Sequence, residues 1–231
     1  MIAIITYDVA HRKTQDLVTR FILNGYKDIH LVVIPFIERK NFRPIFSHRP
    51  SQCVPIDIDT LCTRTGITST RVEVQDLANY FSQHTYKHIV IGGAGILPVE
   101  LATNHKVINA HPGYLPYAKG LDAFKWSILK GNPLGVTTHY ISPEADEGEL
   151  IEKRMIPVYF EDSFHNVAYR VYELEIDMLV NAIAIVDKGE ASLESLSDDQ
   201  YTATMRMPHH LEIAMMQKFE DLRKQSKSVV E

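Results

Sequence analysis

Short, nearly continuous apolar runs alternate along the chain with stretches whose apolar residues fall three and four positions apart. The first pattern suits strands buried on both faces, and the second suits helices that cover them. Residues 2–6 (IAIIT), 30–36 (HLVVIPF), 70–74, 88–92 (HIVIG) and 106–110 (KVINA) read as successive strands, with Pro35 marking the end of the second. Between the first two, Thr14 is placed to cap a helix with Leu17, Val18, Phe21 and Ile22 on one face and Gly25 at its end. Shorter helices are expected over 56–65 before Gly66, over 75–83, and over 122–130 before Gly131.

Residues 136–142 and 150–159 read as an antiparallel pair joined by the loop 143–149. Ser163 then caps the longest helix, whose apolar side carries Val167, Val171, Leu174, Met178 and Leu179, with Gly189 just past its end. Residues 190–207 are polar. Pro208 opens a last amphipathic helix with Leu211, Met215, Phe219 and Leu222 in a stripe, which could pack on its own core or on a second subunit, so a homodimer is possible. Alternation of this kind predicts an α/β fold: a mostly parallel twisted sheet, helices on both faces, and a short C-terminal helical extension. The expected division is a catalytic unit over 1–189 and a loop-plus-helix over 190–231.

At 231 residues the chain can bury a full core without staples, and 45% apolar with 23% charged residues excludes a disordered chain. With 24 basic and 29 acidic residues the net charge is −5, which argues against nucleic acid or an anionic membrane as the main partner. Cys53 and Cys62 alone cannot build a four-thiolate site. No basic segment precedes the first apolar run and no run approaches membrane-spanning length, so a cytoplasmic protein is expected. Eleven histidines invite a metal. However, His84 and His88 straddle a helix-to-strand junction, and the adjacent His209 and His210 diverge, so no metal is expected.

In an open parallel sheet, ligands bind beyond the carboxyl ends of the strands. The fifth strand ends Asn109-Ala110-His111, and in extended chain Asn109 and His111 point the same way with Ala110 turned aside. An amide and an imidazole on one rim suit the developing oxyanion of a tetrahedral intermediate. A hydrogen-bonded strand terminus would look the same. The wider segment reads NAHPGYLPYAKG over 109–120 and GVTTHYISPEADEG over 135–148. In register, Asn109, His111, Pro112, Leu115, Pro116, Gly120, His139, Asp146 and Gly148 resemble the family of formyltransferases that use 10-formyltetrahydrofolate.

That resemblance implies a Rossmann-like domain with Asn109, His111 and Asp146 as the catalytic trio. Asp146 would receive the proton an attacking amine must lose, and a carboxylate beside His111 would strengthen donation to the oxyanion. It also implies that the folate co-substrate lies along Gly93, Gly95, Ile96 and Leu97 after the fourth strand and against the loop holding Glu144. Glycines there allow a flat ring to approach backbone, although a tight strand-to-helix turn would read the same.

Within that family, the tRNA-directed branch carries a further C-terminal barrel, and the folate hydrolases an N-terminal regulatory domain. The purine branch carries a glycine-containing loop after its first strand, where this chain has Tyr7 to Thr14 without glycine. The stretch from Trp126 to Gly131 looks more like the tRNA and sugar branches. These features favour a nucleotide-linked amino sugar as the small-molecule amine acceptor, with glycinamide ribonucleotide or water as alternatives. His11, Arg12 and Lys13 at a helix start could bind its anion. The basic segment with Arg39, Lys40, Arg43, His48 and Arg49 could do so as well.

Overall fold

A computed structural model describes residues 1–37, 43–50 and 55–229. Its elements run β1 (Ile2–Tyr7), α1 (Arg12–Leu23), β2 (Ile29–Ile34), α2 (Ile58–Thr65), β3 (Thr68–Arg71), a 3-10 turn (Val74–Asp76), α3 (Leu77–Gln83) and β4 (His88–Ile91). They continue with α4 (Val99–Asn104), β5 (Val107–His111), α5 (Ala123–Lys130), β6 (Gly135–Tyr140), β7 (Leu150–Met155), α6 (Phe164–Lys188) and α7 (His209–Lys224). The sheet order is β3-β2-β1-β4-β5-β6-β7. The first five strands are parallel, and β6 and β7 are antiparallel additions.

The uninterrupted apolar runs have the physical cause the sequence suggests: both faces of the sheet are buried. Ile2 and Ile4 of β1 and Leu31 and Val33 of β2 face one way and pack with Leu17, Val18 and Phe21 of α1 and with α6. Their neighbours Ala3, Ile5, Val32 and Ile34 face the other way, toward Leu77 and Phe81 of α3 and Leu101 of α4. Each fully buried Ile, Leu or Phe contributes about 1.5–3 kcal/mol of transfer free energy. Helix α6 is held at its start by a reciprocal capping box between Ser163 and Asn166, and at its end by Gly189 in the left-handed conformation (φ 69°).

Several expected boundaries move. Helix α1 starts at Arg12 after an extended His11, not at Thr14. Buried Thr14 turns its hydroxyl inward to His11 Nδ1 (2.8 Å) and to Thr6, where it satisfies core polar groups rather than capping a helix. The third strand is Thr68–Arg71, earlier than expected, because pairing with β2 rather than burial sets an edge strand, and its side chains carry little apolar signal. The expected helix over 75–83 divides into the 3-10 turn and α3. The strand expected to reach residue 159 stops at Met155. Helix α4 was not foreseen, being only six residues long and too short to show a period.

Helix α7 packs on its own chain. Met215 and Phe219 are fully buried, and the Phe219 ring meets Phe164 of α6 edge-on at 5.8 Å. The loop before it is tied down as well: Trp126 Nε1 donates to the Met205 carbonyl at 2.7 Å, and Met207 N donates to Asp122 at 3.0 Å. Among the described residues no helix is long and apolar enough to cross a membrane.

Two glycines test how tightly the sheet is closed. A Cβ at Gly148 would lie 1.7 Å from the Tyr140 carbonyl oxygen, whereas one at Gly131 would meet nothing but would sit at φ +71°. Gly148→Ala should therefore lower the urea midpoint by the equivalent of more than about 3 kcal/mol or abolish folding. Gly131→Ala should cost only about 1 kcal/mol.

Candidate active site

The strand order reverses between β1 and β4, so a crevice opens there beyond the carboxyl ends of the parallel strands. Just beyond β4, strand β5 contributes the motif residues. Ala110 packs into the α6-side cluster, which turns Asn109 and His111 to the opposite face together. The antiparallel partner β6 sets His139 directly opposite Asn109, and Thr137 opposite His111.

The hydrogen bonds assign the rings. His139 is fully enclosed and its Nδ1–H donates to the Tyr140 carbonyl at 2.9 Å. Burial holds its pKa below the usual histidine value, and neighbouring His111 adds to that effect against the pull of Asp146. The neutral ring thus presents an Nε2 lone pair to the Asn109 amide across a long 3.5 Å contact. His111 commits Nε2–H to the Ala118 carbonyl at 2.6 Å, which leaves Nδ1 facing Asp146 Oδ1 at 3.4 Å. The same Asp146 oxygen lies 3.7 Å from His139 Nε2. The expected trio is brought together, and His139 stands within it.

Asp146 reaches this position from a left-handed backbone (φ 60°), a conformation aspartate and asparagine tolerate best among non-glycine residues. Its second oxygen accepts the Gly120 amide at 2.8 Å. Gly120 is itself left-handed (φ 86°) and lies so close to Thr204 that a Cβ would fall 2.4 Å from the Thr204 carbonyl oxygen. The surrounding loops are fixed by buried polar groups. Thr137 Oγ1 donates to the Gly113 carbonyl and accepts from the Leu115 amide, and the enclosed Lys119 ammonium reaches Glu147 at 2.7 Å.

The segment after β4 combines both readings open at the sequence level. Gly92 and Gly93 donate their amides to the Ile5 carbonyl, and a Cβ on Gly93 would lie 2.7 Å from His11 Cε1, so this is a tight turn pressed against the end of β1. Beyond it the chain is open: Gly95 is exposed, Ile96 is 93% exposed, and Leu97 is half-buried. Glu144, in the loop between β6 and β7, is exposed, and its carbonyl accepts from Ser142 Oγ at 2.9 Å.

The basic residues proposed for the acceptor separate into two groups. Lys13 Nζ (2.6 Å) and Arg49 Nη1 (2.5 Å) both pair with Glu175 of α6, a carboxylate with 0% exposure. Burial alone would raise its pKa, but Arg49 and Lys13 override that and hold it at about 2. His11 lies in the same field. Burial first, then Lys13 and Arg49, lower it to about 4, so it is neutral at pH 7. His48 is lowered to about 3 by burial and by Arg49 and Lys125. Arg12 instead turns along α1 to Asp16 (3.2 Å), which also accepts from the Tyr172 hydroxyl at 2.7 Å. Arg39, Lys40 and Cys53 lie outside the described residues.

Sequence reasoning missed three buried polar groups: His139 standing among the trio, Glu175, and the enclosed pair Lys125–Glu212. The in-register motif position of His139 was the signal available for it; its contact with Asn109 came from the pairing of β5 with β6. Glu175 and Glu212 sit on the apolar faces of their helices, and an acid on such a face was the signal available for both. Breaking either buried pair from one side would leave a charge unpaired, at a cost of about 3–5 kcal/mol.

Residues 49–183 match the Formyl transferase family, and the chain belongs to it. Two curated relatives are similar over shorter stretches. One is a dTDP-4-amino-4,6-dideoxyglucose formyltransferase of Mycobacterium tuberculosis, 29% identical over 98 residues, or 42% of each chain. The other is a phosphoribosylglycinamide formyltransferase of Haemophilus influenzae, 31% identical over 90 residues, or 38% of this chain and 42% of that one. The matched stretch thus spans about two-fifths of each relative. The fold is shared with a sugar N-formyltransferase from Shewanella sp FDAARGOS_354, at TM-score 0.64 and 20% identity over 94% of this chain and 87% of that one.

The buried charges predict an acid-sensitive fold. His11 and His48 are neutral in the native state but titrate near 6.5 when unfolded, so they favour folding above that pH and oppose it as pH falls toward 4 and 3. Glu175 acts in the same direction lower down: its contribution is complete above about 4.5 and is lost as pH falls toward 2. Urea midpoints should be flat from pH 8 to 7 and fall steadily from pH 6.5 to 4. His48→Gln should flatten that fall.

Proposed function

We propose that the protein transfers a formyl group from 10-formyltetrahydrofolate to the amine of a nucleotide-linked amino sugar. The observation that carries this reading is the meeting of Asn109, His111 and Asp146 at one strand end, with His139 holding the asparagine amide. The free amine attacks the formyl carbon and forms a C–N bond. The carbonyl oxygen becomes an oxyanion facing Asn109 Nδ2–H, His111 keeps its Nε2–H on the Ala118 carbonyl and its Nδ1 beside Asp146, and the amine's proton passes to Asp146 directly or through water. Collapse of the tetrahedral carbon expels N10 of tetrahydrofolate, which takes up that proton. The pterin would lie along Gly93, Gly95, Ile96 and Leu97 and against the loop at Glu144, where exposed backbone and an exposed apolar side chain suit a flat ring.

The acceptor's anionic part would enter from the side of His11 and Arg49. Arg49 retains 41% exposure while one of its nitrogens is held on Glu175, which leaves donors for a phosphate or carboxylate. Lys13 supports it from beneath through the shared carboxylate. In this reading residues 1–189 carry the chemistry and 190–231 brace it. Glycinamide ribonucleotide is the second reading, supported by similarity to the Haemophilus relative. The glycine-free segment from Tyr7 to Thr14 weighs against it.

Purified protein should formylate at least one member of a panel of dTDP- and UDP-linked 3-amino and 4-amino sugars, and not glycinamide ribonucleotide. The opposite outcome refutes the acceptor assignment. Release of tetrahydrofolate with no amine present would make it a hydrolase. Asn109→Ala should lower kcat about 10²–10³-fold with tetrahydrofolate binding retained. Asp146→Asn, which keeps a residue suited to the left-handed backbone, should lose turnover to a similar degree without losing stability.

A further inference from the structure

The start of α7 touches both halves of the site although it contributes no side chain to either. Glu212, fully buried, takes Lys125 of α5 on one oxygen and the backbone amides of Ile45 (2.6 Å) and Phe46 (3.4 Å) on the other. His209, one turn earlier, donates from Nε2 to the Arg43 carbonyl at 2.8 Å. These bonds fix the backbone of the segment that carries His48 and Arg49. Just before the helix, Thr204 N and Oγ1 donate to the Lys119 carbonyl and the Leu121 amide donates to the Thr204 carbonyl, which grips the same Gly120 whose amide holds Asp146.

We infer that Glu212 is a positioning residue for the acceptor: its buried carboxylate clamps residues 45–46 so that Arg49 is presented beside His11. This inference deepens the proposed function and rests on its assignment of the anionic acceptor to Arg49. The physical case is one of stoichiometry. A carboxylate whose sole task was to neutralise Lys125 would need one oxygen. Here the second oxygen is spent on two loop amides that no helix or strand partner satisfies. A charged acceptor on backbone amides makes a stronger, more directional restraint than a neutral one, and presetting a loop raises affinity by removing its ordering cost at binding.

Two double variants avoid leaving a lone buried charge. Lys125→Met with Glu212→Leu removes both the charge and the acceptor for Ile45 and Phe46. Lys125→Met with Glu212→Gln removes the charge and keeps an oxygen for those amides. Calorimetry with thymidine diphosphate should show affinity about tenfold weaker in the leucine form and close to wild type in the glutamine form, the loss expected for a restraint of about one hydrogen bond. Tetrahydrofolate affinity and kcat should hold in both, and the Ile45 and Phe46 amides should exchange hydrogen faster only in the leucine form.

Diphosphate affinity unchanged despite faster exchange would overturn the inference, as would equal weakening of both ligands in both variants, the mark of a merely structural pair. If the wild type bound no thymidine diphosphate and formylated no nucleotide sugar, the acceptor reading would fall. Glu212 would then be judged by the KM of whichever amine is turned over, with an unchanged KM in the leucine form counting against it.

Discussion

The reversal of chain direction at β6 is the constraint on which the site depends. Four parallel crossovers build a sheet buried on both faces, and the next connection, which runs through α5, brings the chain back antiparallel instead. By returning antiparallel to β5, strand β6 sets His139 against Asn109 within the ladder itself, a precision no loop could match. The loop from β6 to β7 then has to fold back over the strand ends. Gly148, pressed against the Tyr140 carbonyl, and Asp146, in a left-handed backbone, are the residues that let it do so.

Charge is distributed by the same logic. The acidic balance of the whole chain hides a local arrangement around the candidate acceptor crevice in which two fully buried carboxylates act differently: Glu175 holds two cations, and Glu212 holds one cation and two backbone amides. Neither carboxylate is exposed to ligand. Glu175 gathers Lys13 and Arg49, whose charge in turn helps keep His11 neutral. An anion entering beside Arg49 meets a field already set by ion pairs, so little reorganisation is required on binding.

The strands and the motif were legible in the sequence because both depend on local rules. Period-two and continuous apolar runs located β1, β2, β4 and β5 to within a residue or two, and the spacing of Asn109 and His111 foretold that they share a face with Ala110 turned away. Thr14, β3 and α4 were misplaced or missed for one reason: their conformation is decided by partners. Thr14 satisfies His11 and Thr6 instead of capping, β3 takes its limits from β2, and α4 is too short to carry a period.

What the sequence determined by itself is the layered α/β plan and the shared face of the candidate residues Asn109 and His111, since hydrophobic periodicity and strand alternation are carried by near neighbours in the chain. What only the tertiary structure decided is the company each group keeps. His139 is bound to the Asn109 amide through a strand register, Lys13 and Arg49 share Glu175, and α7 is folded onto its own chain with Glu212 holding a loop more than 160 residues away in sequence. Those choices are made by burial. A charge or amide removed from water must find a partner wherever the fold brings one, and no local pattern records where that will be.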